Sequence, residues 1–169
     1  MDRILDKARG GQNFLERIAN KIPGFKGYRD KELRRDADRI QREHLATLLE
    51  ECKGSLNGLS SAASRSGDLG VINDIETARK RLDKVINRIR YADRGYAGFF
   101  DAIKVDEDKL AQVYDFDERL LSGVDAIRAA AREAAAAAEV KPAVQTMVAA
   151  IDAVDSSLAH RESILTGIS

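Results

Sequence analysis

The sequence predicts an all-α protein: an elongated, antiparallel up-down four-helix bundle preceded by an N-terminal amphipathic helical arm. Three observations predict it. Apolar residues recur three and four apart over long stretches, the spacing of one helix face. Nowhere does the chain alternate apolar and polar residues as a strand does. Only two prolines occur among the 169 residues, at Pro23 and Pro142, and the intervening glycines mark turns between helical runs.

The arm and its linker cover residues 1–28, and the bundle covers 29–169. In the arm, Ile4, Ala8, Leu15, Ile18 and Ile22 share a face widened by Leu5, Phe14 and Ala19, while Arg3, Lys7, Arg17 and Lys21 lie off it. That pattern suits an interfacial helix, or an arm packed on a partner or on its own bundle. Gly10 and Gly11 weaken the helix there. Pro23, Gly24 and Gly27 then break it, and Phe25 and Tyr28 stand among Lys21, Lys26 and Arg29. Aromatics interleaved with basic side chains fit a partner surface, or an anchor on the bundle end.

Asp30 is a good N-cap, so the first long helix is expected from there to about Ala63. Its stripe is Leu33, Ala37, Ile40, His44, Leu48, Cys52, Leu56, Leu59 and Ala63, broadened by Leu45 and Leu49. Ser64 to Gly70 reads as a turn. The second helix, Val71 to Tyr91, buries Val71 or Ile72, Ile75, Ala78, Leu82, Val85 or Ile86, and Ile89. The third opens near Asp106, where acids complement the helix dipole, and carries Leu110, Val113, Phe116, Leu120, Val124, Ile127 and Ala131. Pro142 suits the first position of the fourth, with Lys141 outside it, and Val144, Met147, Ile151, Val154 and Leu158 form its inner face. The helix is expected to fray after about Arg161. Short turns between four such helices favour the up-down arrangement.

The formal charge is zero, so nothing draws the whole chain to nucleic acid, and no nucleic-acid partner is expected. The charge is uneven, however. Residues 79–94 carry seven basic side chains against two acids, and residues 101–118 carry seven acids against two lysines. If the second and third helices fold back on each other, these patches pair within the molecule; if their faces diverge, they join neighbouring molecules. Between them lies YADRGYAGFFDAIK, with Tyr91, Tyr96, Phe99 and Phe100, four of the nine aromatics. Adjacent Phe99 and Phe100 do not point the same way on a helix, so at least one plugs the bundle end or meets a partner. The candidate partner-binding residues are therefore Phe25, Tyr28, Arg88, Arg90, Tyr91, Arg94, Tyr96, Phe99 and Phe100.

Chemistry is poorly provided for. His44 and Cys52 share a face two turns apart, but a metal site needs three or four ligands, and the Glu-x-x-His pairs of di-iron bundles do not occur. No metal, cofactor or catalytic residue is expected. A nucleophile, base and orienter are hard to assemble from His44 and His160. Gly95 and Gly98 form a G-x-x-G better explained as a turn, because the RNA-binding fold that uses it needs strands. Asp101, Asp106, Glu107 and Asp108 lack EF-hand spacing and read as a helix cap. The single cysteine fits a reducing compartment, MDRILDKARG has no apolar run of secretory type, and no stretch is long enough to span a bilayer. A cytoplasmic location follows as the expectation, at most peripheral to the inner face of the membrane.

KIPGFKGYRDKELRRDADR and YADRGYAGFFDAIKVDE together resemble a group of small bacterial helical-bundle proteins of no known activity, over most of residues 21–118. That resemblance implies a bacterial origin and, from genes of members lying beside band-7-type membrane scaffolds, a membrane-linked assembly. It carries over no catalytic residue. The sequence thus favours a non-enzymatic adaptor or assembly subunit with a protein partner or self-association. The alternative is a peripheral protein that holds anionic lipid through its basic arm.

Overall fold

The computed structural model describes residues 31–92 and 107–166, with side chains over 39–92 and 115–163 and at Gln112. Four helices account for them: α1 Lys31–Ser66, α2 Leu69–Tyr91, α3 Glu107–Ala136 and α4 Val140–Thr166. No strand occurs among the described residues. At 1.5 Å per residue, the 36 residues of α1 extend about 54 Å, so the bundle is elongated as its pattern predicts. The arm, residues 1–28, lies outside the described residues.

The α1–α2 turn is built from two residues suited to opposite ends of a helix. Gly67 adopts a left-handed φ of +73°, open to glycine at no steric cost. Its N–H reaches the Ser64 carbonyl at 3.4 Å, and that of Asp68 reaches Ala63 at 3.2 Å, the paired bonds of a Schellman motif. Asp68 then caps α2, accepting the Val71 N–H at 3.1 Å. The turn expected over Ser64–Gly70 is thus tighter, with α1 running to Ser66 and α2 starting at Leu69. Likewise, α4 begins at Val140 rather than at Pro142. Proline is tolerated in a first turn because the N–H it lacks has no intrahelical acceptor there. At the other end, α4 continues past Arg161 to Thr166.

Directions alternate along the chain, but the order around the bundle is α1, α2, α4, α3, with the packing carried by the pairs α1·α2, α2·α4, α4·α3 and α3·α1. Side-chain pairings give the directions. Lys53 meets Asp83 and Glu50 meets Arg90, so α1 and α2 are antiparallel. Asp117 meets Arg161 near one end and Gly123 stands against Val154 further along, so α3 and α4 are too. Arg81 meets Asp152 while Arg88 meets Glu162, which makes α2 and α4 parallel. The molecule is therefore two α-hairpins lying side by side in the same sense, with α2 and α3 at opposite corners.

The predicted inner faces of α2, α3 and α4 are buried wherever their side chains are described. In α1 the register is turned slightly. Leu45, Ala46 and Leu49 are fully buried, whereas Ile40, His44 and Leu48 flank them half-buried. The flank packs against the same core.

Candidate functional site

One end of the bundle gathers the first half of α1, the end of α2, the first half of α3 and the end of α4. This is the end from which α2 leads into the aromatic segment. Extending the core line of α1 backwards from Leu49 and Leu45 in steps of three and four arrives at Gln41 and Arg42. The same steps back from Val124 and Leu121 arrive at Asp117, and forward from Val154 and Leu158 at Arg161. Helix geometry thus places four polar side chains at core positions. All four are buried, each 5% exposed or less.

A buried charge is tolerated when paired and hydrogen-bonded. Arg161 Nε lies 3.2 Å from Asp117 Oδ1, joining α4 to α3. Arg42 donates from Nη1 to the Arg90 carbonyl oxygen at 3.2 Å, one of the terminal carbonyls of α2 that find no partner within their own helix. A cation at that end also complements the helix dipole. Gln41, Arg42, Asp117 and Arg161 line a common cavity with Ile89 and Leu158; its volume of about 10 Å³ has room for roughly one water molecule. Beside this layer, the rings of buried Phe116 and exposed His160 lie 5.2 Å apart at 42°.

Of the residues singled out from sequence, three are described. Arg88 is held between Asp155 and Glu162 of α4, the latter at 2.9 Å, and also donates to the Asp155 carbonyl oxygen at 3.0 Å. Burial opposes its charge, but these carboxylates prevail and raise its pKa. Arg90 pairs with Glu50 at 3.0 Å. Tyr91 is 64% exposed at the end of α2. Phe25, Tyr28, Arg94, Tyr96, Phe99 and Phe100 lie outside the described residues. The basic face of α2 does find carboxylates within the molecule, but on α4 and α1. Arg81 pairs with Asp152, Lys84 with Asp155 at 2.7 Å, and α3, which carries Glu107 to Glu118 of the acidic stretch, stands diagonally opposite.

Sequence reasoning missed the buried polar layer. Its signal was present: the core lines of three helices continue onto Gln41, Arg42, Asp117 and Arg161. Charged side chains are normally found at the surface, and the sequence reading places none of these four in the core.

His44 and Cys52 take ordinary places. His44 is half-buried on the flank of α1, and Cys52 is buried with its thiol donating to the Leu48 carbonyl oxygen at 3.5 Å. Burial pushes that thiol's pKa up, partly offset by Arg128. Among the described residues, no group of three or more His, Cys, Asp or Glu side chains is placed to hold a metal ion. No helix among them is long and apolar enough to cross a membrane.

Comparison with protein-family models, with curated proteins and with solved structures returned no match. The resemblance to bacterial helical-bundle proteins gains no support from these comparisons.

Proposed function

We propose that the chain is a non-enzymatic adaptor or assembly subunit that binds a protein partner or a second copy through the end of its bundle. The observation that carries this reading is Tyr91, a large aromatic side chain left 64% exposed at the end of α2. Tyrosine is enriched at interfaces because its ring supplies contact area at little entropic cost while its hydroxyl keeps a polar partner. Three more aromatics, Tyr96, Phe99 and Phe100, follow it in sequence, outside the described residues. A bacterial, cytoplasmic setting belongs to this proposal.

Sedimentation velocity over a concentration series tests it, using the full chain and Tyr91→Ala. Self-association that weakens in the variant supports the reading. If both chains stay monomeric, affinity capture from bacterial extract with the same two proteins decides it. A partner retained by the parent chain and lost by the variant supports an adaptor, and identical capture by both removes the proposed surface.

The second reading, peripheral binding to anionic lipid, rests on the seven basic side chains among residues 1–29. Each basic residue near such a surface contributes about 1 kcal/mol. Co-sedimentation with anionic liposomes, at low and high salt, separates the two readings. Salt-sensitive pelleting that disappears when residues 1–28 are removed favours lipid; no pelleting leaves assembly as the function.

A further inference from the structure

We infer that the buried layer of Gln41, Arg42, Asp117 and Arg161 is a register key, the device that fixes how one hairpin sits along the other. Within each hairpin a tight turn sets the axial alignment of the two helices. The two hairpins are joined in sequence by residues 93–106, which lie outside the described residues. Among the described residues, the hairpins meet through side chains packed across the α1·α3 and α2·α4 contacts, and these can set the alignment.

Most of the shared core is poorly suited to that task. Its fully buried positions include Leu49, Leu56, Leu82, Ile127, Met147 and Ile151, aliphatic side chains of similar volume. Sliding one hairpin by a turn exchanges one such residue for another, and volume-conserving exchanges are tolerated. Surface ion pairs also link the hairpins, from Arg81, Lys84 and Arg88 to α4. Most of these groups are solvent-exposed, so their pairs discriminate weakly.

The polar layer discriminates strongly. Gln41 and Arg42 belong to the first hairpin, Asp117 and Arg161 to the second, and in this alignment all four line one cavity. The Arg42–Arg90 and Asp117–Arg161 bonds each lie within one hairpin and move with it, but a slip of one turn sets the remaining guanidinium donors of one hairpin against aliphatic residues of the other, where burying them is expensive. Single buried polar residues fix register and oligomeric state in coiled coils by the same physics, at some cost in stability.

The test replaces the layer with apolar side chains of similar size in the full chain: Gln41→Leu, Arg42→Met, Asp117→Leu and Arg161→Met. Spin labels go on cysteines at exposed Ser61 of α1 and Ser122 of α3, which stand at different heights along the bundle, in a Cys52→Ala background. Pulsed electron-spin measurements then read the distance between hairpins. The parent layer should give one narrow population. The apolar layer should add a second, displaced along the axis by about 5 Å per turn of slip. A milder variant, Gln41→Leu with Arg42→Met, leaves the Asp117–Arg161 pair intact and should give a smaller second population. One unchanged population in either folded variant overturns the inference. So does loss of cooperative unfolding in both, because removing a pure register key leaves the fold itself able to form.

Discussion

The two hairpins reach the same architecture by different packing. In α1–α2 the α1 glycines Gly54 and Gly58 stand on the surface, with nothing within 4 Å of where a Cβ would lie. In α3–α4 a glycine stands in the contact itself: a Cβ on Gly123 would lie 2.6 Å from Val154 Cγ2. Ion pairs differ as well. Those linking α1 to α2 lie in solvent, whereas Asp117 and Arg161 of the second hairpin are 1% and 4% exposed. One residue type or one kind of bond therefore has opposite value in the two halves, and burial decides which.

The ion pairs give the largest expected contrast. Asp117→Ala leaves the Arg161 guanidinium buried without its carboxylate, which should cost about 3–5 kcal/mol. Glu50→Ala breaks the exposed pair with Arg90 and should cost about 1 kcal/mol or less. Urea unfolding of the two variants checks the ratio, and equal losses would remove the distinction between the hairpins.

Glycine supplies the next test. Gly54→Ala should stabilise by up to about 1 kcal/mol, since a helix interior favours alanine and the space is open. Gly123→Ala makes the same propensity gain but drives a methyl into buried Val154, an overpacking cost of about 1–3 kcal/mol, so its net effect should be destabilising. Pairing Gly123→Ala with Val154→Ala should remove the clash. A non-additive recovery in the double-mutant cycle identifies the contact; simple additivity would assign the loss elsewhere.

A smaller effect belongs to the turn. Asp68→Ala removes the acceptor of the Val71 N–H and should cost about 1 kcal/mol. The α3–α4 connection, closed by the Ala137 N–H on the Ala134 carbonyl at 3.3 Å, has no recorded side-chain cap of that kind. Denaturant midpoints should accordingly fall for Asp68→Ala and hold steady for Glu139→Ala, an exposed side chain in that second connection.

Much of this architecture was legible because it follows from local rules. Periodicity gave four helices, and it gave the inner faces of α2, α3 and α4 wherever their side chains are described. The adjacent α1–α2 pair could be read from its short turn. The order around the bundle could not, because a chain alternating in direction can place α3 beside α2 or diagonally from it with the same stripes buried. The charge patches illustrate the consequence. Seven basic residues near α2 and seven acids around the start of α3 suggested a pair, yet Arg81, Lys84 and Arg88 reach acids on α4, which carries no acidic run. The polar layer was missed for a different reason. Its periodicity was visible, but three of its four residues are charged, and charge ordinarily lies at the surface.

The smallest expected effect concerns the contact that joins the hairpins at Asp155. Burial works against its carboxylate, but hydrogen bonds from Lys84 and Arg88 outweigh burial and hold its pKa below the ordinary value. A carboxyl depressed in the folded state contributes stability that is fully present above its unfolded pKa and is lost as pH falls through the folded one. The contribution should therefore be complete near neutrality and vanish progressively below about pH 4. Asp155→Asn keeps the shape and loses the charge. Its Tm should lie below the parent's at pH 7, and the gap should narrow as the medium is acidified through that window. Added salt should narrow it too, because Lys84 and its partner are partly in solvent. A Tm difference that stays constant from neutral to acid would mean that Asp155 joins α2 and α4 by hydrogen-bond geometry alone, with its charge contributing nothing.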